Sequence, residues 1–564
     1  LARQKTVLER ANRRTAVKFF KGFSGMLARE FKGYNAQKFG KDMLAGVTVA
    51  AVALPLALAF GVSSGASAAA GLVTAIVAGI VIGGLSGASF QISGPTGAMT
   101  AILVSLVARY GMQGVFIACA LSGVLLILAG VLKLGDLVSF IPMPVITGFT
   151  SGIAVIIALG QVNNLTGLSS EGTETIERIV SYFTLPQSIN LYSVGIGLAV
   201  IVFMALYPKK WSAVVPGSLV AIILATAANA VFALPVEVVG EIPQTLLLSD
   251  RLTFSGLNIN RMSELLMPAV SIAALGMIES LLCGAAAGRM KGEKLNAGAE
   301  LMAQGIGNLI MPFFGGVPAT AAIARTSVAV KAGGQTRLTS IIHSAVLLLS
   351  MFALGGIMSK IPLCALAGVL MVTAWRMNEW HAIKDIFRKR FKSAMLQFGV
   401  TMACTVVFDL TVAIVIGVLF SLFTFVLKVS QMEVTVSDIV PEKLPVECAC
   451  MTGIQDTAVV YVSGPLYFGS IRRLEDCLKE LEGKRRIVFS MRGVPLADIS
   501  AVQAVTDLCK GMMDGGAEVY FTSLQPGVER MFERCGLKHA VGADRFYWST
   551  DQAFKGMAEL PEME

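Results

Sequence analysis

Charge is what this sequence has least of. Only 15% of its 564 residues are Asp, Glu, Lys or Arg, against 55% hydrophobic, and the mean hydropathy is +0.71. Between Met43 and Ala108 there is no charged residue at all, a run of 66. That excludes an ordinary soluble globule and is long enough for about three membrane crossings at roughly 20 residues each. A cysteine framework is also lacking. Cys119, Cys283, Cys364 and Cys404 sit in apolar segments, and Cys448, Cys450, Cys477, Cys509 and Cys535 in the C-terminal part. The pair Cys448-Ala-Cys450 lacks the two-residue gap of a zinc knuckle or redox pair, so reduced thiols in a cytosolic compartment are expected. No catalytic triad, P-loop or metal cluster is present, so no enzyme, cofactor or metal is expected.

Charge returns at both ends. The first 41 residues carry eleven Lys or Arg against two Glu. No aromatic or base-reading module accompanies them, which argues against nucleic acid. They read as a cytoplasmic anchor under the positive-inside rule, too long and too charged for a cleavable signal peptide. The expected domains are a basic tail over 1–42, a membrane domain over 43–430, a linker over 431–447 and a soluble domain over 448–564.

Apolar segments begin near Met43, Ala66, Pro95, Gly114, Pro142, Leu191 and Val214. A second set begins near Ser263, Leu295, Arg325, Thr336, Ile361, Lys392 and Asp409. This predicts an α-helical membrane protein of fourteen crossings in two repeats, about 43–235 and 263–430. With the N-terminus inside, the inward connections carry thirteen cations, among them Lys133, Lys209, Lys210, Arg289 and the group Lys384, Arg388, Lys389, Arg390 and Lys392; the outward ones carry five. That split places both termini in the cytoplasm. Seven is odd, so the repeats have opposite topology. IPMPVITG at Ile141 echoes IPLCALAG at Ile361, and the third element of each half is short and interrupted by Gly or Pro. Inverted repeats with such interruptions point to a transporter with its site at the bilayer midplane.

The first interruption is SFQISGPTGAMT, Ser89 to Thr100. Ala88 to Ile92 reads as extended, and Pro95 suits the first turn of a helix that starts part-way across the membrane. Its first N–H groups lack intrahelical partners and carry partial positive charge, which suits an anion. Thr96 and Thr100 would add hydroxyl donors. The partner is GGVPATAAIARTSVAVKAGG, Gly315 to Gly334, with a strand over Ala319–Ala324 and a helix from Arg325 to Gly333. Gly and Pro that merely allow close helix packing are the alternative. An Arg at membrane depth costs at least about 2.5–3.5 kcal/mol, so Arg325 needs a bound anion or an acidic partner. Glu279, in GMIESLLCG, is the other costly residue: it pairs with Arg325 when the site is empty, or carries a proton for coupling, or forms a purely structural pair. His343 reads as a packed histidine, with a proton-carrying group as the alternative, and Phe60 as site-lining or core.

These stretches carry a resemblance. LPLALAFGVSSG, ISGPTGAMT, GMIESLL and RTSVAVKAGG resemble the sulfate permease (SulP) family, bacterial relatives of prestin and pendrin, and SGPTGAMT is similar to its cyanobacterial bicarbonate branch. The resemblance implies a nucleobase-transporter-like fold with core and gate domains, a homodimer, and elevator movement. It places the anion between Gly94, Pro95 and Thr96 on one side and Ala324, Arg325 and Thr326 on the other, with Phe60 beside them. Two positions depart from the pattern. Leu56 stands where many members have Gln. Glu279 and Cys283 stand where the bicarbonate branch has its sodium-binding Asp and Thr; a thiol is a poor ligand for a hard cation, so protons are the expected coupling ion.

In the C-terminal part, strands are expected at Thr457–Ser463, Arg486–Met491 and Glu518–Thr522. Helices are expected at Ile471–Leu481, Ala501–Met513 and Pro526–Cys535, a small α/β layer. It resembles a STAS domain. There the stretch ADISAVQ makes Ser500 a candidate phosphosite, with a plain N-cap at Asp498 or Ser500 as the alternative, and a cytosolic regulator at the STAS domain is an expected partner. The function expected is secondary active transport of an anion in the cell membrane, with proton symport. Sulfate is favoured over bicarbonate and a C4-dicarboxylate such as fumarate. The alternatives are a sodium-coupled bicarbonate transporter, an exchanger, a channel, or a membrane-tethered anion sensor signalling through the STAS domain.

Overall fold

The computed structural model describes residues 23–136, 141–168, 175–184, 188–208, 211, 215–253, 259–408, 410–429, 432–438, 456–478, 481 and 483–559. The cations up to Lys21, Lys209, Lys210, Asp409 and the Cys448–Cys450 pair lie outside them. The chain forms two compact units that divide between Ser421 and Leu422.

Every expected apolar segment coincides with a helix. α1 is Ala36–Ser63, α2 Ala68–Leu85, α3 Gly97–Val131, α4 Met143–Gly160, α5 Val162–Thr166, α6 Thr175–Thr184, α7 Leu191–Leu206 and α8 Gly217–Phe232. The second half has α9 Ile259–Lys291, α10 Ala297–Ile310, α11 Ile323–Lys331, α12 Leu338–Met358, α13 Leu363–Met377, α14 Trp380–Arg388, α15 Lys392–Val407 and α16 Leu410–Val429. Among the described residues, six helical stretches are long and apolar enough to cross a membrane by themselves, and shorter apolar helices accompany them. α3 holds two expected segments in one. Gly111 breaks it with φ 66° and ψ −177°, a left-handed backbone that glycine adopts without steric cost.

The helices pack as two bundles. In the first, α1 and α2 pack on α12, while α3 packs on α9 and α10. In the second, α4 packs on α15 and α13 packs on α7. Close approach is set by glycine: a Cβ on Gly305 would lie 2.6 Å from the Gly123 carbonyl oxygen across the α3–α10 contact.

Residues 23–42 are not a free tail. Residues 23–30 are helical. Glu30 accepts from the Arg337 N–H (2.6 Å), Nε (2.9 Å) and Nη2 (2.7 Å). Asp42, fully buried in α1, accepts from the N–H groups of Gln335 and Thr336 and from the hydroxyls of Thr336, Thr339 and Tyr34. Two carboxylates thus bind the N–H groups of the turn that leads into α12, and this fastens residues 23–42, expected as part of a basic tail, to that turn.

The second unit is a five-stranded sheet in the order β3-β4-β5-β6-β7: β3 Glu433–Asp438, β4 Thr457–Ser463, β5 Arg486–Gly493, β6 Glu518–Thr522 and β7 Phe546–Tyr547. β3 runs antiparallel to β4, pairing Val434 with Val462, and the other neighbours are parallel. Glu433–Asp438 was expected as linker and is instead the edge strand. Its alternation of Val with polar residues is the half-exposed pattern of such a strand. Helices α17 Ile471–Leu478, α18 Ile499–Asp514, α19 Pro526–Arg534, α20 Leu537–Val541 and α21 Thr550–Glu559 complete the unit. Phe489, Phe521 and Phe546 stack across three strands with ring centroids 5.2 Å apart.

Candidate functional site

The two interrupted segments meet. β1, Ser93–Gly94, pairs antiparallel with β2, Thr320–Ala321, in the register Ser93↔Ala321 and Gly94↔Thr320. The Ala322 N–H extends the ladder to the Ile92 carbonyl. β1 lies just past the expected extended piece Ala88–Ile92, and β2 is shorter than the expected strand Ala319–Ala324. The helix after β1 starts at Gly97 with Thr96 as N-cap, so Pro95 precedes the helix instead of opening it. The helix after β2 starts at Ile323, which places Arg325 inside its first turn. The first N–H groups of both helices therefore lie beside one crossed strand pair, without acceptors inside their own helices.

Arg325 is 1% exposed. Its Nη2 donates to the Pro95 carbonyl at 2.7 Å, and its Nη1 has no partner among the described residues. Gly94 makes room for it: a Cβ there would fall 2.5 Å from Nη1. The expected pair with Glu279 does not form. Glu279 Oε2 instead accepts from the hydroxyls of Thr96 (2.8 Å) and Thr320 (2.6 Å). Those hydroxyls reach the carboxylate because the strand crossing brings Thr96 and Thr320 within 3.2 Å of each other. A buried guanidinium edge without an acceptor is costly, and an oxyanion would satisfy it.

The other sequence candidates divide. Phe60 is buried, with its ring edge beside Gly97 at the start of α3. Ala324 is exposed next to Arg325. Thr326 is structural: its hydroxyl accepts from the Ile92 N–H (3.0 Å) and from the Cys283 thiol (3.3 Å). Thr100 is spent locally, donating to the Gly97 carbonyl at 2.6 Å. His343 is fully buried in α12.

Sequence reasoning missed the residues that brace the crossing. Asn296, Glu300, Gln304 and Asn308 recur every four residues along α10, a polar stripe on one face that was legible in the sequence. Glu300, fully buried, accepts from Ser86 Oγ, the Gly87 N–H and Gln304 Nε2. Gln304 also donates to Ser93 Oγ at 2.9 Å. Asn308 donates to the Ala319 carbonyl (2.9 Å) and accepts its N–H (2.7 Å). One helix face thus grips both strand segments. A cavity of about 340 Å³, lined by Asn164, Ser193, Glu237 and Cys364 among others, lies apart from all these residues.

The comparisons with known proteins decide the family. The sulfate permease family model matches residues 39–400. The chain belongs to the sulfate permease family. Among its relatives, a putative sulfate transporter of Bacillus subtilis, YvdB, is 34% identical over 94% of this chain and 99% of its own length. The bicarbonate transporter BicA of a Picosynechococcus strain is 30% identical over 91% of this chain and 94% of its own. The solved mouse solute carrier 26 family member A9 anion transporter, inward-facing, superposes with a TM-score of 0.83 at 16% identity, covering 96% of this chain and 95% of that one. The transmembrane domain of a cyanobacterial BicA gives 0.61 at 28% identity, covering 69% of this chain and 98% of that one. As a sulfate permease family member, the chain is a multi-pass membrane anion transporter.

The STAS domain model matches residues 450–553 of this family member. Within it, Asp498 is the N-cap of α18. It accepts from the Ala501 N–H (2.7 Å) with one oxygen and from the Phe468 N–H (3.1 Å) with the other. Ser500 is exposed in the first turn of that helix.

Proposed function

We propose that the chain is a secondary active transporter that takes sulfate and couples its movement to protons. The observation that carries this reading is the buried Nη1 edge of Arg325, unpartnered among the described residues, beside two helix N-termini, with Glu279 one hydroxyl away. The anion sits on that edge and on the first N–H groups of α3 and α11. Phe60 closes the apolar side. Thr96 links the two ligands. With Glu279 ionised, both threonine hydroxyls donate to Oε2. A proton placed on Oε2 turns the carboxyl into a donor and releases the Thr96 hydroxyl toward the anion. Protonation and anion binding then favour each other.

Proton coupling is preferred to sodium because Cys283 offers a thiol, a poor ligand for a hard cation. Elevator movement of the first bundle past the second, a homodimer, and cytoplasmic termini belong to the same proposal. Its support is the two-bundle packing and the bias of Lys and Arg toward one side. Bicarbonate is the second reading, favoured by the 30% identity to BicA.

The test is uptake of labelled sulfate, bicarbonate and fumarate into proteoliposomes, with and without an inward proton gradient. Sulfate is expected to accumulate only with the gradient, and Glu279→Gln is expected to abolish accumulation while leaving sulfate binding intact. Binding without accumulation under any gradient would overturn the symporter and leave an exchanger, a channel or a sensor.

A further inference from the structure

α13 and α15 are joined by residues 378–391, of which Trp380–Arg388 form α14. Both neighbours are apolar and enter the membrane region, so this connector cannot leave the interface. α14 packs against α4 and α15. Ile386 is buried, and the Phe387 ring meets Phe398 edge-on at 5.7 Å. The charged positions of the segment are open. Lys384, Arg388, Lys389, Arg390 and Lys392 are all exposed, facing only Glu379 and Asp385 as acids on the segment. Among the described residues the one ion pair they make is Lys389–Asp385, at 3.9 Å and exposed. Between them stand Phe387 and Phe391, 46% and 56% exposed, and Trp375, its ring tilted at 39° to that of Trp380 with centroids 4.4 Å apart, is exposed at the end of α13.

Helix capping accounts for part of this, since cations near a helix C-terminus interact well with its dipole. It does not account for Arg390. That residue has φ 51°, the left-handed conformation in which helices usually end on glycine. An arginine there carries a steric cost that glycine would not. Topological signalling explains positive charge on this side, but not bare aromatic rings set between the cations.

We propose that residues 384–392 form a binding site for anionic glycerophospholipid. The guanidinium and ammonium groups engage phosphate diester headgroups, while Phe387, Phe391 and Trp375 lie along the upper acyl chains. The bidentate geometry of arginine suits a phosphate diester, and a short basic amphipathic helix held at the interface is the form such sites take. Bound lipid would brace α14 against α4 and α15, helices of the second bundle.

The test uses the full-length protein in nanodiscs of phosphatidylcholine alone or in an equimolar mixture with phosphatidylglycerol. Lipid retained after detergent extraction is read by native mass spectrometry. Wild type is expected to retain phosphatidylglycerol selectively. The variant K384Q/R388Q/R390Q/K392Q should lose it, with affinity falling roughly fivefold per charge removed. Arg390→Gly removes one cation while relieving the backbone. It should bind roughly fivefold more weakly with a melting temperature no lower than wild type, which separates lipid loss from misfolding. The control R289Q/K294Q removes exposed cations elsewhere and should leave retention unchanged. Equal retention in wild type and the four-site variant would overturn the site. So would equal loss in the control, or no preference for phosphatidylglycerol over phosphatidylcholine.

Discussion

Gly94→Ala tests the anion site with one methyl group. The added Cβ would fall 2.5 Å from Arg325 Nη1 and 3.2 Å from Cζ and Nη2. Carbon and nitrogen do not approach so closely, so the guanidinium must retreat by about 1 Å to regain ordinary contact. Its tip is flexible, so the fold should lose little: a melting temperature within a few degrees of wild type, corresponding to about 1 kcal/mol or less. The anion should lose much more. The retreat withdraws Nη1 from its place beside the helix N-termini and strains the Nη2 bond to Pro95. A hydrogen bond to a charged group contributes about 1.5–3 kcal/mol, so the apparent affinity should fall about 10- to 100-fold. The assay is the KM for uptake of the accumulated anion, with Gly40→Ala as control because a Cβ there meets nothing within 4 Å. An unchanged KM in a folded Gly94→Ala protein would refute the placement of the anion on Arg325.

The remaining predictions concern the framework. Glu30→Ala leaves the buried Arg337 without its carboxylate and should cost about 3–5 kcal/mol, read as a lowered melting temperature. Lys389→Ala, which breaks an exposed pair, should change it by less than about 1 kcal/mol. Asn308→Ala strands both the N–H and the carbonyl of Ala319, at about 1–3 kcal/mol each, and uptake should fall with stability because that residue leads into β2. In the STAS domain, burial pushes the Cys509 thiol up to about 12. A thiolate-specific alkylating reagent at pH 8 should therefore miss it in the native protein and label it fully in denaturant, as read by peptide mass spectrometry.

Much of this protein was legible because lipid imposes local rules. A chain without charges for 66 residues must fold into helices that satisfy their own backbone, so the apolar segments and the two weak third elements stood out one by one. Arg325 and Glu279 stood out for the same reason, as charges where lipid tolerates few. The alternation of strands and helices from Thr457 onward was likewise written in period and punctuation. Partner choice was not. Whether Glu279 meets Arg325 or the hydroxyls of Thr96 and Thr320 depends on where three segments cross, and spacing along one chain does not encode the angle between two helices. Thr326 and Thr100 looked like site donors, yet the fold gave their hydroxyls to Ile92 and Gly97. Glu30 and Asp42 looked like part of a basic tail until the turn before α12, some three hundred residues away, supplied the N–H groups that bind them. Glu433–Asp438 became a strand only because β4 offered an open edge. The sequence by itself determined which segments are apolar enough for lipid and which of them are interrupted. The tertiary structure alone decided which polar group answers which, because a buried donor takes the acceptor that packing brings within reach.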